Sequence, residues 1–503
     1  SLVSSRSGEP IILDRYSLKF ALLLGGVLLS LLLFGTLIVI NRRRMPQFFT
    51  SLLAGPARIP GLLESVVISG SLSIILLPFG SVFVPLLSGL WFMGGVVITY
   101  MGAALLIHSS LSQSRAALLR KRALFVLLGL VLSTFLFEAG LRIVSRFTPY
   151  RILPANLRWE FHPIPAVMPG VGGVSRYSTN RDGIRGDPYH PDGRYNLLAV
   201  GGSTTECIYL DDSEAWPYLL QVNLNQRNRR LPVWVGNVGR SGYGLVEHIH
   251  ALRHFVPQFR IDAVVVMVGI NDLTPALRHP EKYNVRYSEP NYFRRFEDTF
   301  YTRPLVDANI PRPFPENLAL WNLVDQALLK EPRRIQDGEI RVEDQAGLNY
   351  VRRRQLFHNA PKLIQQVPDL SAALDQYERN LVRLITTAAE QGIHLILTTQ
   401  PVAWSDHISG EAESLLWMGL YGDKESPMGR YSVKALAVAM NLFNQRLLAV
   451  CKHYKVMCVD LAGNMRGNER YFYDDAHFNE LGSSKVAEIL AAILESAGIL
   501  EVR

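Results

Sequence analysis

"NLLAVGGSTTE", residues 196–206, runs from an unbroken apolar stretch through two glycines into three hydroxyl-bearing residues and an acid. An apolar run without polar alternation suits a parallel strand covered by helices on both faces. The polar residues that follow then stand at the carboxyl end of that strand, at a strand-to-helix turn.

Similar runs recur downstream. "VWVGN" (233–237), "AVVVMVG" (263–269), "IHLILTTQ" (393–400) and "KVMCVDL" (455–461) are β-rich and nearly continuous in apolar character. Helical patterns lie among them. "SAALDQYERNLVRLITTAAEQG" ends at Gly392, and "YSVKALAVAMNLFNQRLLAVCKHY" spans 431–454. In the last helix Val486, Ile489, Leu490, Ile493 and Leu494 share one face, with Asn479 as its N-cap. Strands alternating with amphipathic helices predict an α/β fold, a parallel sheet between two helical layers.

In such sheets the residues that handle ligands collect beyond the carboxyl ends of the strands. "GGSTTE" follows the first run, "NVGRSGYG" (237–244) the second and "GIND" the third, while "DDAH" (474–477) comes soon after the fifth. Four loops therefore bring Ser203, Gly242, Asn271 and His477 to one edge. A serine hydroxyl becomes an effective nucleophile when a histidine takes its proton and a carboxylate orients that histidine. Ser203 is the candidate nucleophile, His477 the base and Asp474 the orienting acid. The backbone N–H groups of Ser203 and Gly242 and the side-chain amide of Asn271 are the candidate oxyanion donors. Single features allow other readings: Ser203 as a helix N-cap, Asp475 in place of Asp474, and His248, His250 and His254 as solvated or partly packed histidines. Those three lack the H-E-x-x-H spacing of a zinc site, and no metal or cofactor is expected. "GRSGY" (239–243) is not a G-x-S-x-G elbow, because Tyr243 replaces the final glycine.

"GGSTTE", "NVGRSGYG", "VGIND" and "DDAH", in this order, resemble the motifs of the SGNH (GDSL) hydrolase superfamily. The likeness covers roughly 190–275 and 390–500. It implies a three-layer, flavodoxin-like hydrolase domain with catalytic Ser203, Asp474 and His477 and an oxyanion hole of Ser203, Gly242 and Asn271. The sequence departs from the family at Gly202, where an aspartate is usual, and at Cys207, where a glycine is common. Cys207 is positioned to narrow the floor of the site. "STNRDGIRG" (178–186) resembles a segment that precedes the first motif in membrane-anchored members, and is expected to be a packing element at the domain entrance.

The first 145 residues differ in character. Hydrophobic residues make up 48% of the 503-residue chain, and nearly all the long apolar runs fall here. "FALLLGGVLLSLLLFGTLIVI" (20–40) is uncharged, and 65–108 is an uncharged run about twice the ~20 residues one span needs. With 123–143 this predicts about four spans, near 20–40, 65–85, 89–108 and 123–143. Glu138 and Arg142 are one helical turn apart, which favours an ion pair at the helix end over an intramembrane functional acid. The formal net charge is +8, from 52 Lys and Arg against 44 Asp and Glu. Arginines flank the apolar runs, which suits lipid head groups rather than nucleic acid. The loops at 41–62 and 109–122 carry four basic residues each, against three on each of the other two flanks. Residues after 145 then lie outside, giving an integral plasma (inner) membrane protein with an extracytoplasmic catalytic domain. Three cysteines make no disulfide framework; Cys451 and Cys458 are read as two small buried thiols in preference to a pair.

The expected division is 1–145 transmembrane, 146–190 an entrance segment, and 191–503 the hydrolase domain with an insertion near 276–370. That insertion is rich in aromatics and arginines, as a lid or acceptor platform would be; packing against the membrane domain is the plainer role. The resemblance implies a serine esterase or deacetylase acting on O-acyl groups of a cell-surface polysaccharide or lipid. Two alternatives stay open: an O-acyltransferase to a sugar hydroxyl, and a non-catalytic subunit of a larger membrane complex with membrane protein partners.

Overall fold

The structure, a computed structural model, describes residues 133–227, 231–280, 296–307, 314–325 and 335–501. The candidate spans near 20–40, 65–85 and 89–108 and the first part of 123–143 lie outside these residues. The chain is helical over 133–146, and among the described residues no helix is long and apolar enough to cross a membrane.

Two compact units form. In the first, residues 133–147 group with the described residues of 304–325. The Glu138–Arg142 ion pair is present at 2.7 Å. Glu138 also accepts hydrogen bonds from the N–H groups of Ala319 and Leu320, both at 2.8 Å. These belong to the first turn of the helix Ala319–Val324, whose N-cap Leu318 offers no side-chain acceptor. A carboxylate there satisfies donors that the helix itself leaves unpaired. The stretch 276–370, expected as one insertion in the hydrolase domain, is therefore divided: 304–325 groups with 133–147, and 335–370 with the second unit.

The second unit contains strands β1 (Arg158–Pro163), β2 (Ser175–Ser178), β3 (Tyr195–Gly201), β4 (Val233–Asn237), β5 (Ala263–Met267), β6 (Ile340–Ala346), β7 (Leu363–Ile364), β8 (His394–Thr398), β9 (Leu420–Gly422), β10 (Pro427–Tyr431) and β11 (Met457–Val459). Its central sheet has the order β11-β8-β5-β3-β4 with every pairing parallel. Counted along this sheet alone, that is the doubly wound order 2-1-3-4-5. All five strands are the apolar runs read from the sequence.

Every residue of β3, β4 and β5 is buried. On one face Leu197, Ala199, Val235 and Val265 join a core with Trp216, Leu220, Val486 and Leu490, brought by the packed helices Trp216–Arg227 and Glu480–Ser496. The helix Ser371–Glu390 packs against both Val433–Tyr454 and Leu245–His250. Each fully buried Leu or Val side chain contributes about 1.5–3 kcal/mol. The last helix begins where expected: Asn479 accepts the Gly482 N–H at 3.0 Å.

Two small sheets complete the unit. β1 pairs antiparallel with β2 and parallel with β6, joining the entrance segment to the insertion. β10 pairs with β7 and β9. Cys451 and Cys458 form a disulfide with their Cα atoms 6.1 Å apart, contrary to the reading of two thiols. The helix Val433–Tyr454 ends at Lys455, whose left-handed φ of 55° turns the chain back into β11 beside the helix end.

Candidate active site

The nucleophile candidate sits on the turn leaving β3. Gly202 caps the short helix Ser203–Glu206 with extended backbone, so Ser203 is the first helical residue and not its cap. A Cβ on Gly202 would stand 2.3 Å from Asn271 Nδ2 and 3.1 Å from the Tyr243 carbonyl. Glycine here lets three strand-end loops close on one another. Ser203 Oγ lies 2.7 Å from His477 Nε2.

The turn is held from beneath by Arg185, which is 2% exposed. Its guanidinium donates to the carbonyls of Glu206 (2.5 Å), Cys207 (2.9 Å) and Leu210 (2.6 Å), and to Asp212 at 2.7 Å. It also lies 4.6 Å over the Tyr177 ring. These bonds fix the end of the Ser203 helix, where Cys207 takes a left-handed φ of 51°. The entrance segment thus does more than pack: it supplies this arginine.

Glu206 reaches the second loop. Its carboxylate accepts the Ser241 N–H at 2.7 Å and the Ser241 hydroxyl. Burial raises its pKa, against the lowering effect of the Ser241 bonds and of Arg240 and Arg185. Gly242, next in the chain, has a φ of +82° and open space where a side chain would project. A backbone N–H can be approached there without obstruction. Asn271, in the first turn of the helix Ile270–Arg278 that follows β5, donates from Nδ2 to the Tyr243 carbonyl at 2.8 Å. That bond joins the second and third loops and leaves the amide's other N–H for a ligand.

His477 closes the edge. Its Nδ1 lies 2.7 Å from Asp474 Oδ2 and 3.0 Å from Oδ1. Asp474 is buried and also accepts the N–H groups of Ala476 (3.0 Å) and His477 (2.9 Å) and Nε1–H of Trp417 (2.9 Å). Burial alone would raise the pKa of Asp474. The His477 charge and these donors outweigh it, so Asp474 is held below the usual carboxylate range. Conversely, burial would lower His477, but Asp474 raises it above its ordinary value.

Asp475 faces elsewhere, accepting from Trp404 Nε1 (2.8 Å) and the N–H groups of Trp417 (2.8 Å) and Met418 (3.1 Å). Its pKa is raised by burial first and by the Asp474 charge second. The imidazole lies nearly parallel to two rings, Tyr473 with centroids 5.6 Å away and Trp417 at 6.4 Å. Ser203 and His477 are closed in by Cys207, Tyr209, Leu210 and Phe478.

Ser203, His477 and Asp474 therefore form one hydrogen-bonded series, with Gly242 and Asn271 on the adjoining loops. His248, His250 and His254 are buried rather than solvated. His254 packs between Tyr150 and Phe296, and burial pushes His248 down to about 3. Trp417 and Trp404 gave no sequence signal. Arg185 and Glu206 lay inside quoted motifs without a role.

No protein-family model and no curated protein matches the chain. Among solved structures it is similar to LAE5, an α/β hydrolase enzyme from the metagenome of Lake Arreo, Spain. The identity is 13%, over 61% of this chain and 96% of that one, with a TM-score of 0.31. A putative lipolytic protein of the G-D-S-L family from Desulfitobacterium hafniense gives 9%, 60%, 100% and 0.30. A catalytic mutant of Axe2, an acetylxylan esterase from Geobacillus stearothermophilus, gives 14%, 62%, 99% and 0.31. Likenesses this slight leave the chemistry of this chain to its own residues.

Proposed function

We propose that this chain is a membrane-anchored serine acyl-ester hydrolase that removes O-acyl groups from a cell-surface polysaccharide or lipid. The observation that carries the reading is the hydrogen-bonded series Asp474–His477–Ser203, with 2.7 Å at each link. In the reaction Ser203 Oγ attacks the ester carbonyl while His477 Nε2 takes its proton. The tetrahedral oxyanion is met by the N–H groups of Ser203 and Gly242 and the Asn271 amide. Collapse expels the alcohol, which takes the proton from His477 and leaves acyl-Ser203. Water, deprotonated by His477, then releases the carboxylic acid and restores the serine.

The apolar runs before residue 133 support the membrane anchor. The charge asymmetry of their loops supports an extracytoplasmic catalytic domain. Transfer of the same acyl group to a sugar hydroxyl would use the same intermediate, with the acceptor replacing water in its second half. A scaffold subunit would need no such series of hydrogen bonds.

The test is labelling of the detergent-solubilised full chain with a fluorophosphonate. Wild type is expected to be labelled, and Ser203→Ala and His477→Ala unlabelled. A folded wild type that resists the probe would sink the enzyme reading and favour the scaffold. Where label is taken up, adding a sugar acceptor during turnover of an aryl acetate separates acetate release from acetyl-sugar formation.

Trp417 offers a subtler check. Trp417→Phe keeps the ring beside His477 and removes the N–H donated to Asp474. A hydrogen bond to a charged group contributes about 1.5–3 kcal/mol, so kcat on an aryl acetate is expected to fall roughly ten- to a hundredfold. An unchanged kcat would show that Asp474 is oriented without it.

A further inference from the structure

Three consecutive arginines lie on the helix Leu348–His358, and each is placed differently. Arg352 pairs at the surface with Glu425 at 2.6 Å. Arg354 is half-buried and donates to the carbonyls of Leu415 (2.9 Å) and Tyr473 (3.2 Å). Arg353, between them, is exposed and lies over two rings, Trp417 at 4.5 Å and Tyr350 at 5.5 Å. No carboxylate among the described residues pairs with it.

Those two rings are not remote from the chemistry. Trp417 donates to Asp474 and lies nearly parallel to His477, and the Tyr350 ring is 6.3 Å from that imidazole. The acids close by are otherwise engaged. Asp474 and Asp475 are buried and take their hydrogen bonds from the groups described above. A guanidinium fixed over aromatic faces keeps its planar N–H fork for an outside oxyanion. The next residue, Arg354, also lines an open groove of about 330 Å³ with Val167, Gln355 and His358. The helix thus offers one arginine over the ring that flanks His477 and another in the wall of a groove.

We infer that Arg353 forms a subsite for an oxyanion, a carboxylate or phosphate, borne by the acylated molecule. The inference rests on the Ser203–His477 reading for the ester and on Arg353 itself for the acid. Arg353 acts here as a specificity-determining residue, outside the bond-making steps.

Binding tests it without turnover. The full chain carrying Ser203→Ala is titrated calorimetrically with an O-acetylated uronic acid glycoside, the neutral methyl ester of that uronate, and an O-acetylated hexose phosphate. The uronate is expected to bind roughly five- to tenfold tighter than its methyl ester at low salt, with the preference shrinking as salt rises. Arg353→Gln is expected to abolish that preference without weakening the neutral ester, and Arg353→Lys to retain part of it. A larger preference for the phosphate would support the subsite and assign the oxyanion to phosphate. Equal affinity for uronate and methyl ester, a preference surviving Arg353→Gln, an equal loss for charged and neutral probes, or no binding at millimolar concentration would each overturn it. Probes that bind as expected but are never hydrolysed by wild type would instead overturn the hydrolase reading and leave the subsite standing.

Discussion

Replacing Asp474 by asparagine is expected to lower turnover about 10³–10⁴-fold while leaving the protein folded. The carboxylate accepts from Nδ1 of His477 and thereby keeps Nε2 unprotonated and aimed at Ser203. An amide of the same shape can present its NH₂ instead and favour the wrong tautomer. The pH profile carries a second expectation. His477 acts as a base only when neutral, so kcat/KM rises as pH rises through its pKa. Burial is the largest single influence and pulls that pKa down, but the charge and hydrogen bond of Asp474, joined by the charge of Asp475, together pull it above the ordinary histidine value, where the acid limb of wild type is expected. In Asp474→Asn the charge is gone and burial dominates, so the limb moves to lower pH. Steady-state hydrolysis of a neutral aryl acetate across pH measures both. A limb that stays in place would mean that Asp474 does not set the charge of His477.

The second large effect concerns stability. Arg185→Met would fill much of the same volume but leave three backbone carbonyls and Asp212 without their donor. Breaking a buried charged network of this kind costs about 3–5 kcal/mol. The cost falls on the end of the Ser203 helix, so activity is expected to drop further than the loss of folded protein explains. Arg185→Lys keeps the charge and loses the planar fork that serves these acceptors together, and is expected to recover only part of it. Thermal unfolding of the detergent-solubilised chain, set against fluorophosphonate labelling at a temperature where both variants are folded, separates the two effects. An unchanged midpoint for Arg185→Met would refute the network's role.

What could be read from the sequence follows a simple physical division. The five strands of the central sheet are legible because doubly covered strands are apolar without interruption, and the strand-end motifs because each is contiguous. Asp474 and His477 meet across a single short loop. The recognition of Trp417, in contrast, needs the chain to fold across a separation of 57 positions before its indole reaches Asp474. Arg185 lies between 21 and 27 positions from the groups it holds, and nothing local distinguishes it from a surface arginine. The 276–370 stretch is legible as an interruption of the sheet, but its division between two units shows only in the fold, where Glu138 meets the start of a helix 181 residues away. Pattern in sequence reports short-range geometry, and these side chains act at long range.

The order of the catalytic groups along the chain has a temporal consequence. Ser203 follows the first strand of the central sheet, whereas Asp474 and His477 come after its last strand, β11. Chains are made from the amino end and fold progressively as they emerge. A nascent chain therefore carries its nucleophile through most of synthesis with no base to activate it. Competence arrives only when the loop bearing His477 appears and the final helix, Glu480–Ser496, can dock on Trp216–Arg227. A chain halted anywhere before that point lacks the base that the proposed reaction needs.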